Sequence, residues 1–143
     1  MPEIRPATLE DASEIARLGV QLGYEMSESP TRERLAYIVS SPDHEILVCA
    51  DSGGLIGWIG LQVVHGIAAG TYAELSGLVV DELFRSKGIG GRLLSAGESW
   101  SAERGFRSLR VQTNTIRLDA HRFYERLGYR RVKEQRVYER SLI

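Results

Sequence analysis

Cysteine is nearly absent from this 143-residue chain: Cys49 stands alone, which excludes an intrachain disulfide and a cysteine-built zinc site. It lies in the apolar run Ile46-Leu47-Val48-Cys49-Ala50, so it reads as a small core residue on a strand rather than a nucleophile. No apolar run approaches the length of a membrane span, and Met1-Pro2-Glu3-Ile4-Arg5 has no apolar signal core. The expectation is therefore a cytoplasmic protein with no membrane partner. An excess of one charge is also missing. At a formal net charge of -1 nothing attracts nucleic acid globally, so any anion site must be local. The histidines His44, His65 and His121 share no ligand spacing, and no metal site is expected. Internal repeats, low-complexity tracts and linkers are lacking too, and the length suits one domain spanning residues 1–143.

What is present is concentrated between Glu74 and Gly91. Leu75 to Val80 is an apolar strand interrupted by Gly77, and a glycine inside a strand often marks a bulge or the close approach of another backbone. Asp81 to Arg85 make a turn, and Arg85-Ser86-Lys87-Gly88-Ile89-Gly90-Gly91 leads into the helical pattern Leu93, Leu94, Gly97, Trp100. Backbone N–H groups at a helix start have no intrahelical partner and lie at the positive end of the helix dipole, so this stretch suits anionic oxygens. It is not a Walker loop, because Gly90 is followed by Gly91-Arg92 rather than lysine and a hydroxyl residue. Nor does it fit the dinucleotide fingerprint, which wants a small residue where Leu93 stands and an acid closing the next strand, where Gln112-Thr113-Asn114 stand.

Arg-x-x-Gly-x-Gly after a strand with an internal glycine resembles the pyrophosphate-binding loop of the GNAT superfamily of N-acetyltransferases, in which it holds acetyl-CoA. Arg117 to Tyr124 is further similar to small-molecule amine acetyltransferases, the aminoalkylphosphonate acetyltransferases among them. The resemblance is strongest from Glu74 to Tyr129 and extends to the order of elements along the chain.

That order is read from periodicity and punctuation. Glu3 to Ala7 is a strand, and Thr8 caps a helix carrying Ala12, Ile15, Leu18 and Leu22 that ends near Gly23. Ser29-Pro30 offers a cap and first position for a second helix. Strands Glu45 to Asp51 and Leu55 to Val64 join through the tight turn Asp51-Ser52-Gly53-Gly54, and His65 to Gly70 is a loop. After the central helix come a strand from Ser108 to Gln112, a helix holding Leu118, Phe123 and Leu127 closed by Gly128, and a final strand from Val132 to Leu142. The order β-α-α-β-β-β-α-β-α-β predicts an α/β or α+β fold with a mixed sheet.

Acetyl transfer from a thioester to an amine makes four demands. Backbone N–H groups of Ser86, Lys87, Gly88, Ile89, Gly90 and Gly91 would hold the phosphates, with charge from Arg85 and Lys87. A bulge at Gly77-Leu78 would part the strands and free N–H groups at Leu78 or Val79 for the developing oxyanion. The resemblance implies that Leu78, Val79 and Val80 pair with the pantetheine arm, that Asn114 bonds to that arm, and that Phe123 packs nearby. It also implies Glu74 as the base, acting directly or through water, and Tyr124 as the acid that protonates the departing thiolate. His121 reads as a helix histidine bonded within the structure.

With no activated nucleophile in sight, direct transfer with both substrates bound is expected. The acceptor expected is a small primary amine. Protein N-terminal or lysine acetylation is the alternative, as is an acyl-CoA-binding module without catalysis. A homodimer is a fold-level expectation.

Overall fold

The structure, a computed structural model, describes residues 2–143, and these form two compact units divided after Gln112. The first contains β1 (Glu3–Pro6), α1 (Ala12–Gln21), α2 (Glu28–Ser40), β2 (His44–Asp51), β3 (Gly54–Gly66), β4 (Gly70–Val80), α3 (Ile89–Glu103) and β5 (Leu109–Val111). The strands lie in sequence order in one sheet, antiparallel throughout except that β4 and β5 run parallel. The change of direction follows from the connections. Two-residue and three-residue turns join β2 to β3 and β3 to β4, whereas α3 carries the chain back across the sheet before β5.

Alternation along β3 divides the core between the two sheet faces. Trp58 faces α1 and α2, where it packs with Ile15, Leu18, Leu35, Val48 and Val79, and its indole N–H donates to the Ile15 carbonyl at 3.1 Å. Ile59 and Leu61 face α3. There Gly97 has no side chain because one would lie 2.9 Å from Ile59 Cδ1 and 3.0 Å from Leu61 Cδ2. Burying residues such as Leu18, Leu93 and Ile59 completely is worth about 1.5–3 kcal/mol each, and these contacts fix both helix layers on the sheet. Where β1 meets α1, the Arg5 guanidinium forks onto Asp11 at 2.8 and 3.0 Å, and Asp11 also accepts from the Thr8 N–H.

The second unit begins at Thr113 and contains α4 (Leu118–Arg126), closed by Gly128 at a φ of +92°. At this angle a side chain would be strained, so glycine serves as the stop.

Several expectations need correction. β4 starts at Gly70, so the predicted loop is a hairpin whose strands reach the Gly66–Gly70 pair, and Glu74 lies inside the strand rather than at its start. Tyr72 opposite Val64 and Ala73 opposite Val63 supply the pairing that the glycines at the turn obscured. α2 starts at Glu28 after Ser27, with Pro30 third in the helix. A proline is tolerated there because N–H groups of the first turn have no helical acceptor.

The bulge in β4 falls at Ser76: Gly60 pairs with Gly77 and Leu61 with Leu75, leaving Ser76 as the extra residue. Gly77 has another reason to be glycine, since a side chain there would lie 2.9 Å from the Trp58 ring. The predicted strand from Val132 to Leu142 does not form. Strand-forming residues need a neighbour to take their N–H and C=O groups, no ladder reaches these, and Val132, Val137, Tyr138 and Leu142 are exposed.

Candidate functional site

Glu74 is the best-defined polar group in the sheet. It sits in β4 opposite Gln62 of β3 and beside Arg110 of β5, and it is only 8% exposed. Its Oε1 accepts from Gln62 Nε2 at 3.0 Å and its Oε2 from Gln112 Nε2 at 3.1 Å. A buried carboxylate without donors would be costly, and the two amides supply donors while adding no positive charge. The carboxylate is thereby fixed in direction, and among the described residues no cation donates a hydrogen bond to it.

β4 also outruns its neighbour here. The β4–β5 pairing covers Ala73 to Leu75, opposite Leu109 to Val111, and stops; β4 continues to Val80. Among the described residues, Leu78, Val79 and Val80 therefore have no ladder partner on the β5 side, although all three remain paired with β3. Val79 is buried, and Leu78 and Val80 are half-buried. The bulge expected at Gly77-Leu78 lies at Ser76, in the pairing with β3, and the β5 ladder stops at Leu75 because β5 ends at Val111.

At the end of β4, Asp81 organises the turn. Its carboxylate accepts from the Leu83 N–H at 3.1 Å, from Gln21 at 3.4 Å and from Arg17 at 3.3 Å, while the Glu82 N–H donates to Gln21 Oε1 at 2.9 Å. The Leu83 N–H contributes most to holding the Asp81 carboxyl below the ordinary carboxylate range, against the opposing effect of burial, and Arg17 and Gln21 add to it. α1 thus holds the beginning of the loop that follows.

That loop turns on two left-handed residues, Ser86 at a φ of +65° and Gly88 at +81°. The first backbone bond into α3 runs from the Arg92 N–H to the Gly88 carbonyl at 3.1 Å, so the N–H groups of Ile89, Gly90 and Gly91 precede the helical ladder. Among the described residues, apart from their chain neighbours and the helix's own backbone, nothing lies within 4 Å of where a side chain on Gly88 or Gly91 would begin. Glycine in a helix costs about 1 kcal/mol relative to alanine, and at Gly91 no internal packing requires it. This open space against free donors fits a phosphate-bearing ligand. The two cations are arranged less directly: Arg85 Nε donates back to the Val80 carbonyl at 3.2 Å, and Lys87 Nζ lies 5.5 Å from the centre of the Phe84 ring.

Within the second unit, Asn114 Oδ1 accepts from the Ile116 N–H at 3.1 Å, and the Asn114 carbonyl is 3.0 Å from His121 Nε2. Asn114 therefore shapes the start of α4, and His121 is bonded within the structure as expected. The Phe123 and Tyr124 rings meet edge-on at 5.1 Å, and Tyr124 meets Tyr129 at 5.7 Å, with both Phe123 and Tyr124 half-buried.

Sequence reasoning missed Gln62, Gln112 and Asp81 as supports. It also missed a cavity of about 450 Å³ between α2 and the sheet, whose lining includes Arg34, Tyr37, His44, Gln62 and Ser76. Gln62 links the cavity to Glu74. Cys49 is fully buried and its thiol is pushed up by that burial, in keeping with a core role.

The model of the acetyltransferase (GNAT) family matches residues 9–129. The chain belongs to the GNAT acetyltransferase family. As a GNAT protein it is an acetyl-CoA-dependent N-acetyltransferase.

The chain is 32% identical over 130 residues to the aminoalkylphosphonate N-acetyltransferase of Salmonella typhimurium, covering 90% of this chain and 84% of that one. It is 27% identical over 143 residues to the aminoglycoside N(6')-acetyltransferase type 1 of Stenotrophomonas maltophilia, covering 97% and 92%. The structure of AAC(6')-Iy in complex with the bisubstrate analog CoA-S-monomethyl-acetylneamine aligns with a TM-score of 0.87 over 99% of each chain at 18% identity, which is a likeness of fold. Among the described residues no GNAT helix is long and apolar enough to cross a membrane.

Proposed function

We propose that this GNAT domain, residues 1–143, transfers the acetyl group of acetyl-CoA to the primary amine of a small molecule by direct attack with both substrates bound. The observation that carries the reading is the Glu74 carboxylate, buried and held by Gln62 and Gln112 beside the point where β4 loses its β5 partner. An alkyl ammonium has a pKa of about 10, so the acceptor must lose a proton before it attacks. Glu74 takes that proton, directly or through water. The amine nitrogen then forms a bond to the thioester carbon, and the oxyanion accepts hydrogen bonds from N–H groups at Leu78 or Val79 on the unpaired stretch of β4. The C–S bond breaks, its electron pair leaves on sulfur, and Tyr124 donates the proton that makes the free thiol; the second proton of the amine nitrogen is shed as the neutral amide forms and balances the reprotonation of Tyr124.

The cofactor is assigned to the same stretch and the loop after it. Leu78, Val79 and Val80 pair with the pantetheine arm, Asn114 bonds to that arm, and Phe123 packs against it. Ser86, Lys87, Gly88, Ile89, Gly90 and Gly91 hold the pyrophosphate through their backbone, with Arg85 and Lys87 adding charge. The small-molecule acceptor is supported by the names of the relatives and by a cavity within the 300–1,000 Å³ range common for small ligands. A cytoplasmic address and a homodimer belong to the same proposal, and sedimentation of the purified protein tests the latter.

The decisive experiment supplies small amines and peptides separately with acetyl-CoA and follows thiol release. Turnover of small amines supports the reading, whereas turnover confined to peptides overturns it. Tyr124→Phe is expected to slow turnover while acetyl-CoA affinity changes less than about threefold, within the contribution expected of one general acid. Unchanged turnover would remove Tyr124 from the chemistry.

A further inference from the structure

The cavity over Gln62 has a charge pattern that bears on what it accepts. Among the described residues, Arg34, on α2, is the one permanent cation lining it, and no carboxylate does. Among the described residues the Arg34 guanidinium has no hydrogen-bond or ion-pair partner, unlike Arg5, Arg17 and Arg85, which are all engaged. Tyr37 and His44 stand beside it, their rings edge-on at 5.8 Å, and His44 Nδ1 is 2.8 Å from Ser41 Oγ. The neighbouring carboxylate in sequence, Asp43, is directed to His65 at 3.1 Å.

A second cation reaches the same sheet face from the other side. Arg110, the β5 register partner of Glu74, places its guanidinium 4.4 Å from the centre of the Tyr72 ring. Glu74 thus has Arg110 in register on one side and, across Gln62, the cavity lined by Arg34 on the other. An acceptor carrying several ammonium groups would meet one carboxylate and two guanidinium ions, an unfavourable balance where solvent is partly excluded. A short amine that also bears an acid matches the pattern: its nitrogen goes to Glu74 and its anion to Arg34, which is suited to forked hydrogen bonds with a carboxylate or phosphonate.

We infer that the acceptor is a small amine carrying its own anionic group, a carboxylate or phosphonate, and that Arg34 selects it. This rests on the acetyltransferase reading and narrows its substrate. Arg34 is a specificity residue here, since it touches the part of the acceptor that does not react. Binding energy at such a remote group also orients the nitrogen for attack.

The test compares kcat/KM for 2-aminoethylphosphonate, β-alanine, ethylamine and the aminosugar neamine, using thiol release with saturating acetyl-CoA. At least one of the two acidic amines is expected to exceed ethylamine by about tenfold, the scale of one forked charge-assisted contact. In Arg34→Gln the ratio of the preferred acidic amine to ethylamine should fall by about tenfold, and Arg34→Lys should recover part of it.

A ratio near one in the unaltered enzyme overturns the inference, as does a ratio that Arg34→Gln leaves unchanged or a preference for neamine. All three outcomes leave amine acetylation itself standing. Absence of thiol release with every amine would overturn the acetyltransferase reading as well. Because Arg34 is exposed and makes no internal bond, its substitution does not put the fold at risk.

Discussion

Glu74 depends on side chains brought in by the strands on either side of it, whereas the loop from Ser86 to Gly91 presents chiefly its own backbone. Both lie on one continuous stretch of chain, at the middle and just beyond the end of β4. The first is buried and specific to a single carboxylate. The second is exposed from Ser86 to Gly88, glycine-rich and defined by left-handed turns and by helix N–H groups that precede the helical ladder. Chemistry that moves a proton needs a fixed group with a chosen environment, while holding phosphate oxygens needs several donors and clearance, which the main chain can supply. Substitutions should therefore affect the two halves differently.

Removing the proposed base should have the largest effect. Glu74→Gln is expected to lower kcat by about 10²–10⁴-fold, the usual range for a general base, with acetyl-CoA affinity changed less than about twofold. Steady-state kinetics and calorimetric titration read the two quantities, and a fall in affinity as large as that in kcat would erase the distinction between the halves. Next comes the support around the base. Gln62→Leu with Gln112→Leu leaves both oxygens of a buried carboxylate without their donors, at about 1–3 kcal/mol each, so the thermal midpoint should drop and kcat fall severalfold. An unchanged midpoint would mean that water replaces the amides without loss.

Gly91→Ala sharpens the contrast by moving stability and function in opposite directions. Alanine should stabilise α3 by up to about 1 kcal/mol, yet its methyl enters the space assigned to the pyrophosphate and should weaken acetyl-CoA binding by about tenfold. Denaturant unfolding and titration must both be done. A stabilised variant with undiminished affinity would move the cofactor elsewhere.

Asp81→Asn should cost about 1 kcal/mol of stability, because the amide weakens the contacts from Leu83, Arg17 and Gln21. The folded-state pKa of Asp81 lies below the unfolded value, so its contribution is complete above about pH 4 and is lost as pH falls through the folded value. Asp11, held low first by Arg5, and Glu14, held low first by Arg17, add to the same acid sensitivity. Acid unfolding of Asp81→Asn should show a shallower pH dependence than the parent below about pH 4. An identical slope would exclude the role. The smallest effect is expected of Arg85→Gln, whose exposed side chain turns back to the Val80 carbonyl; acetyl-CoA affinity should change by less than about threefold.

Much of the fold was legible because it is written locally. The buried Leu93, Leu94, Gly97 and Trp100 recur at helical spacing, and Asp51 to Gly54 carries the residues of a tight turn. The glycine-rich loop was legible for the same reason. The partners of Glu74 were not, since Gln62 reaches it through the β3–β4 register and Gln112 through a parallel crossover, and neither offset is encoded by a neighbouring residue. Register also decided that the bulge falls on Ser76 while Gly77 makes way for Trp58. The strand expected from Val132 to Leu142 failed on a related point: propensity can nominate a strand, but only a neighbour can complete it.

The missing side chain at Gly97 acts as a seat into which the sheet's Ile59 and Leu61 rise, and it determines how low the whole of α3 rides. The start of that helix lies about 12 Å away along a stiff rod. A single methyl at the seat would tilt the rod, and its far tip, with the N–H groups of Ile89, Gly90 and Gly91, would swing out of line without any change in those groups themselves.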